Sequence, residues 1–165
     1  MRLCYLLRVM EEILGFLRGI GLTVRMEEIA HATFLPGVHI EGGGLVVDRA
    51  RLLYPGDLLH EAGHLALMDP VRRAGTNGDS GNDAGEEMGA IAWSYAAALH
   101  IGIDPRVVFH DEGYKGSAGS IAQNFAEGHY LGVPILEWKG LALEVRKARE
   151  QSLPAYPHML RWLCE

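Results

Sequence analysis

The chain is short of cysteine, with two in 165 residues, Cys4 and Cys164, near opposite ends. No Cys-x-x-Cys spacing occurs, so neither a zinc ribbon nor a dithiol redox centre is expected, and both thiols read as bystanders. Long hydrophobic runs are missing as well: nothing approaches the ~20 uninterrupted apolar residues of a membrane span. At the N-terminus Arg8 and the pair Glu11-Glu12 interrupt the run that resembles a targeting segment. No signal peptide and no membrane partner are therefore expected, and a cytoplasmic location follows by default. Positive charge is scarce too. Fifteen Lys and Arg against 21 Asp and Glu give a formal charge of −6, the reverse of a phosphate-binding footprint, so nucleic acid is not an expected partner.

What remains is an ordinary globular composition, 48% hydrophobic and 22% charged. A chain of this length fits one domain, residues 1–165, that buries roughly two-thirds of its unfolded surface. Leu6, Val9, Met10, Ile13, Leu14 and Leu17 recur at three and four, predicting an amphipathic helix over 5–20. Three β-prone runs follow, 22–25, 38–41 and 45–48, and the last two flank Gly42-Gly43-Gly44, which predicts a hairpin. A helix is expected over 57–68, stopped at Asp69-Pro70. A polar, glycine-rich surface loop should cover 73–85, and an alanine-rich helix should run from about Glu86 to His100. Shorter helices are expected over 117–127, 135–149 and 156–162. The expected class is α+β, with a small antiparallel sheet beside the helices.

The informative run is His60-Glu61-Ala62-Gly63-His64, a His-Glu-x-x-His pattern inside the helix expected over 57–68. Residues four apart on a helix have Cβ atoms about 5–6 Å apart, so both imidazoles can reach one ion at ~2.0–2.1 Å. At 100° per residue Asp57, His60, Glu61, His64 and Met68 share one side, while Leu58, Leu59, Ala62, Leu65 and Ala66 lie opposite. Glu61 is offset from the line of the histidines yet within reach of a water beside them, which is a general base's position. Shuffling this composition yields the pattern in about 3% of chains, so the helical context and a third ligand carry as much weight as the motif.

A catalytic zinc site takes three protein ligands and a water. A third histidine in the extended spacing is excluded, because Leu67 and Pro70 stand where glycine and histidine would be needed. Glu86 and Glu87 open the next helix. Asp83 and Glu86 have capping-box spacing, which gives Glu86 a structural task. Glu87 heads a stripe of Ala90, Ile91, Ser94 and Ala98, mostly small residues that would let its helix approach Gly63. Glu87 is therefore the favoured third ligand, with Glu86 and Asp83 as alternatives, and the expected cofactor is one Zn2+ ion.

His60-Glu61-Ala62-Gly63-His64 with Glu87-Met88-Gly89-Ala90 on the next helix resembles the zinc metallopeptidases of the gluzincin type, and weakly the ImmA/IrrE group among minimal gluzincins. The resemblance covers about residues 38–100. It implies a zincin-like domain, peptide or protein substrates, and an edge strand that aligns an extended substrate. In some gluzincins an acidic residue four places after the third ligand supports a zinc histidine. Here that place holds Ile91, so support must come from elsewhere.

The expected chemistry is amide hydrolysis by a metal-activated water, with Glu61 taking its proton and returning it to the leaving amine. Contacts to the developing oxyanion are sought first in His110-Asp111-Glu112-Gly113-Tyr114-Lys115, at His110 and Tyr114, with Tyr54, Tyr95, His129 and Tyr130 behind them. Trp93, Trp138 and Trp162 read as core or groove-lining aromatics. Two other functions fit the same residues: a regulatory module whose structural zinc is closed by a fourth ligand such as His110 or Asp83, and a hydrolase acting on a non-peptide amide.

Overall fold

The apolar stripe of the N-terminal segment forms helix α1, Arg2–Gly19, and buries Val9, Met10, Ile13, Leu14 and Leu17. Each such side chain contributes roughly 1.5–3 kcal/mol by leaving water, which anchors α1 against the helices and strand described next. A computed structural model of the protein describes residues 2–78, 80–81 and 83–165. Among these the architecture is α+β, with seven α-helices and one three-stranded sheet.

Strands β1 (Val24–Met26), β2 (Val38–Glu41) and β3 (Gly44–Val47) are ordered β1-β3-β2. The expected hairpin is β2–β3, paired antiparallel from Val38↔Val47 to Glu41↔Gly44. Its two-residue turn has φ of 56° at Gly42 and 73° at Gly43, the mirror-image geometry that suits hairpin twist and favours glycine. The sheet is mixed, however, and the expectation of an antiparallel sheet is corrected, since β1 pairs parallel to β3. The cause is the burial of β3. All four of its residues are buried, so its backbone needs partners along both edges. Thr23 accepts from the Leu45 N–H at 2.9 Å, and the Glu27 N–H donates to Val47 at 3.0 Å. At the outer edge of β2 the Gly78 N–H donates to Ile40 at 2.8 Å.

Helix α2, Asp57–Leu67, lies behind the sheet with almost every residue buried. Met68 follows the helix into the core, 1% exposed, and does not join the polar face on which helical periodicity puts it. Proline does stop α2, yet a new helix begins there: α3, Pro70–Gly75, is capped by Asp69, which accepts from the Val71 and Arg72 N–H groups. The loop expected over 73–85 therefore starts later, and its residues Asp79 and Asn82 lie outside the described residues.

Helix α4, Ala84–Ile101, packs across α2 and starts at the Asp83 cap. The crossing is close because Gly63 has no side chain. A Cβ there would lie 2.9 Å from the Ala90 carbonyl oxygen and 3.1 Å from its Cα.

Beyond α4 come α5 (Ala118–Ala126), α6 (Val133–Trp138) and α7 (Val145–Gln151). The single helix expected over 135–149 is thus two. Residues 141–143 leave the helix because their carbonyls accept from the Tyr156 and Leu160 N–H groups, each at 2.8 Å. For the same reason no helix forms over 156–162, where Met159 pairs with Ala142 and Pro157 removes a donor. This C-terminal segment is tied to the helices. Trp93 donates to the Trp162 carbonyl at 2.9 Å, and Arg73 bridges the carbonyls of Leu65, Met68 and Cys164. Trp93 is fully buried, whereas Trp138 is 79% exposed with the Lys139 ammonium 4.9 Å from its ring centre, so it is neither core nor groove lining. Cys4 and Cys164 are free thiols. No helix among the described residues is long and apolar enough to cross a membrane.

Candidate metal centre

One turn of α2 stacks His60 over His64, and the Gly63–Ala90 crossing brings the first turn of α4 against them. His60 Nε2 and His64 Nε2 lie 3.3 Å apart. Glu87 faces both, with Oε2 3.0 Å from His64 Nε2 and Oε1 3.6 Å from His60 Nε2. Two donors held at ~2.0–2.1 Å around a tetrahedral ion stand about 3.3–3.4 Å apart, so the spacing of the two Nε2 atoms fits a zinc ion, and Glu87 turns one carboxylate oxygen toward each of them. The donor set of two imidazoles and a carboxylate suits zinc as well. Among the described residues this is the group of histidine, cysteine and acidic side chains that could hold a metal, its ligand atoms all within 4.8 Å of one another.

The two acidic residues at the head of α4 diverge. Glu86 turns to Arg72 on α3 in a bidentate pair, Nη2–Oε2 at 2.7 Å, and this guanidinium holds its carboxyl below the usual range. The capping arrangement is accordingly one-sided: Asp83 accepts from the Glu86 N–H at 2.8 Å, but the Glu86 carboxylate goes to Arg72 and not back to the cap. Arg72 was not visible as its partner in the sequence, although the Asp69-Pro70 helix start would have placed it.

Burial is deepest at His64, 4% exposed, with His60 at 16% and Glu87 at 44%. Burial, reinforced by the neighbouring His64, pushes the His60 imidazole down to about 4, against the opposing pull of Glu87. The hydrogen bond from His64 holds the Glu87 carboxyl below its ordinary value. Both shifts favour the forms a cation needs, a neutral imidazole and an ionised carboxylate. Glu61 is half-buried between the histidines, and its charge is among those that raise the Tyr114 phenol.

His110 and Tyr114 both come to this region, on different partners. His110 Nε2 is 2.9 Å from Asp57 Oδ1 at the start of α2, its ring stacks on Tyr54 at 3.9 Å, and its Nδ1 is buried without a hydrogen-bond partner among the described residues. Burial raises the Asp57 carboxyl while the His110 bond opposes the rise. Tyr114 Oη is 3.1 Å from His60 Nδ1, behind the ring with respect to Glu87. Tyr95 and Tyr130 pack among Phe125 and Phe109 in the core, and exposed His129 faces Glu127. The Asp57 carboxylate and the Tyr54 ring thus engage His110, contacts that helical periodicity alone does not reveal. A cavity of about 840 Å3, lined by Tyr54, Tyr95, Phe109 and His110 among others, shares His110 with the site but contains none of the three prospective ligands.

No protein-family model, no curated protein and no solved structure matches this chain.

Proposed function

We propose that the protein is a zinc-dependent peptidase of gluzincin type with a zincin-like fold, in which His60, His64 and Glu87 hold one ion and Glu61 is the general base. The supporting observation is the convergence of two Nε2 atoms, 3.3 Å apart, and the Glu87 carboxylate on one point, with Glu61 on the same helix face. When bound, zinc supplies Lewis-acid polarisation of a carbonyl and lowers the pKa of water toward ~7.

The chain's own residues do the rest. Glu61 takes the proton of the attacking water and delivers it to the leaving amine. His110, whose Nε2 lies 2.9 Å from Asp57 Oδ1, is the residue we assign to stabilising the oxyanion. An extended peptide pairing with the outer edge of β2 would exchange the Gly78–Ile40 bond for its own.

A regulatory module with a closed structural zinc needs a fourth protein ligand. Its two candidates are otherwise engaged, His110 with Asp57 and Asp83 with the α4 N-terminus, which favours an open position and hence hydrolysis. The test is turnover of a quenched-fluorescent peptide library by zinc-loaded protein, with loss under chelation and recovery on zinc readdition. Cleavage of small non-peptide amides with no peptide cleaved would move the assignment to an amidohydrolase.

A further inference from the structure

Ile91, four residues after Glu87, is apolar and buried. It cannot accept a hydrogen bond, so the outer nitrogen of a zinc histidine must be met from another part of the chain. At His60 it is met by Tyr114, from 54 residues away: Oη lies 3.1 Å from Nδ1, and the rings stand edge to face at 5.6 Å and 88°.

We propose that Tyr114 is a positioning residue that fixes His60 as its Nδ1–H tautomer and thereby presents the Nε2 lone pair to the ion. This rests on the zinc reading above. A neutral imidazole carries one N–H, and the nitrogen that bears it is closed to a metal. The His60 nitrogen facing His64 and Glu87 is Nε2, so the proton belongs on Nδ1, where the phenol oxygen accepts it.

The surroundings hold Tyr114 in a place its backbone does not favour. Its φ is +33°, in the left-handed region that L residues rarely adopt. Its carbonyl accepts from both the N–H and the hydroxyl of Ser117, and the Phe109 ring packs on it at 5.5 Å. Strain kept in place by neighbours at a side chain bonded to a prospective ligand points to function. The His110 Nε2 is engaged with Asp57. The two histidines are therefore unequal. His64 has Glu87 Oε2 3.0 Å from its Nε2, while its Nδ1 is buried with no hydrogen-bond partner among the described residues. A phenol is also a weaker acceptor than a carboxylate, so it pushes less electron density into the ring and leaves the ion more electrophilic.

The test reads tautomers directly. In metal-free protein labelled with 15N-histidine, long-range 1H–15N spectra, with His60 assigned by its loss in His60→Gln, should show the Nδ1–H form at His60. In Tyr114→Phe the Nε2–H form should grow, and zinc affinity, measured against a chromophoric chelator, should fall about 10–100-fold. A wild-type His60 found in the Nε2–H form overturns the proposal, and so does a Tyr114→Phe protein with unchanged tautomer and affinity. If Tyr114→Phe fails to fold, the wild-type spectrum alone decides. If wild-type protein takes up no zinc, the metal reading fails, while the metal-free spectra still decide the role of Tyr114.

Discussion

Gly63 on α2 and Ala90 on α4 meet so closely that a single added carbon at position 63 would fall 2.9 Å from the Ala90 carbonyl oxygen. This crossing sets the distance between the two histidines and Glu87. It leads to a prediction of sign. In an unpacked helix Gly→Ala is worth about 1 kcal/mol of stability, but Gly63→Ala should destabilise by about 1–3 kcal/mol, because the neighbour in the way is backbone. It should also weaken zinc binding at least tenfold by moving α4 outward. Urea unfolding of the metal-free protein, with a zinc titration of the same sample, measures both, and a more stable variant would show that the crossing is looser.

Glu61→Gln should retain one zinc per chain by elemental analysis and lose peptide turnover by about 10²–10⁴-fold, the usual share of general acid–base catalysis. Retained turnover would remove Glu61 from the mechanism.

Glu87→Ala should lose stoichiometric zinc, whereas Glu86→Ala should keep it and instead lose about 1 kcal/mol or less, since the Glu86–Arg72 pair is partly solvated. The reverse pattern of metal content would transfer the ligand role to Glu86.

Acid should weaken the metal-free fold in a defined window. His60 is held down to about 4 from an ordinary 6.5, so the unfolded chain takes up a proton that the folded chain refuses. The resulting stability is fully present above about 6.5 and lost as pH falls through about 4. Glu87, also lowered, acts with the same sign, its contribution present above 4.5 and lost as pH falls through its folded value. Unfolding midpoints of metal-free protein should decline as pH drops below 6.5, and less steeply in His60→Gln. An identical decline in both would place the acid sensitivity elsewhere.

The parts of this site that sequence shows are those fixed by helical periodicity. His60, Glu61 and His64 share a face because they are separated by one turn, and Glu87 parts from Glu86 because the small stripe below it must meet Gly63. The parts hidden from sequence depend on chain segments brought together from afar, such as Asp57 with His110 across 53 residues and His60 with Tyr114 across 54. Nothing local in His110-Asp111-Glu112-Gly113-Tyr114 shows which neighbour each side chain will choose. The sheet has the same history. The Gly42-Gly43 turn makes the β2–β3 hairpin legible, while the parallel addition of β1 follows from burial of β3, a tertiary property. The helix expected over 156–162 fails because Leu141 and Leu143 claim its backbone donors.

On the proposed reading, two imidazoles and a carboxylate hold one zinc ion, with a position left for water. X-ray absorption of zinc-loaded protein measures it most directly. The expected result is one zinc per chain, four nitrogen or oxygen neighbours at about 2.0–2.1 Å, two of them with imidazole outer-shell scattering, and no sulfur. Protein that retains no stoichiometric zinc, or that shows a sulfur ligand or a third imidazole, would contradict it.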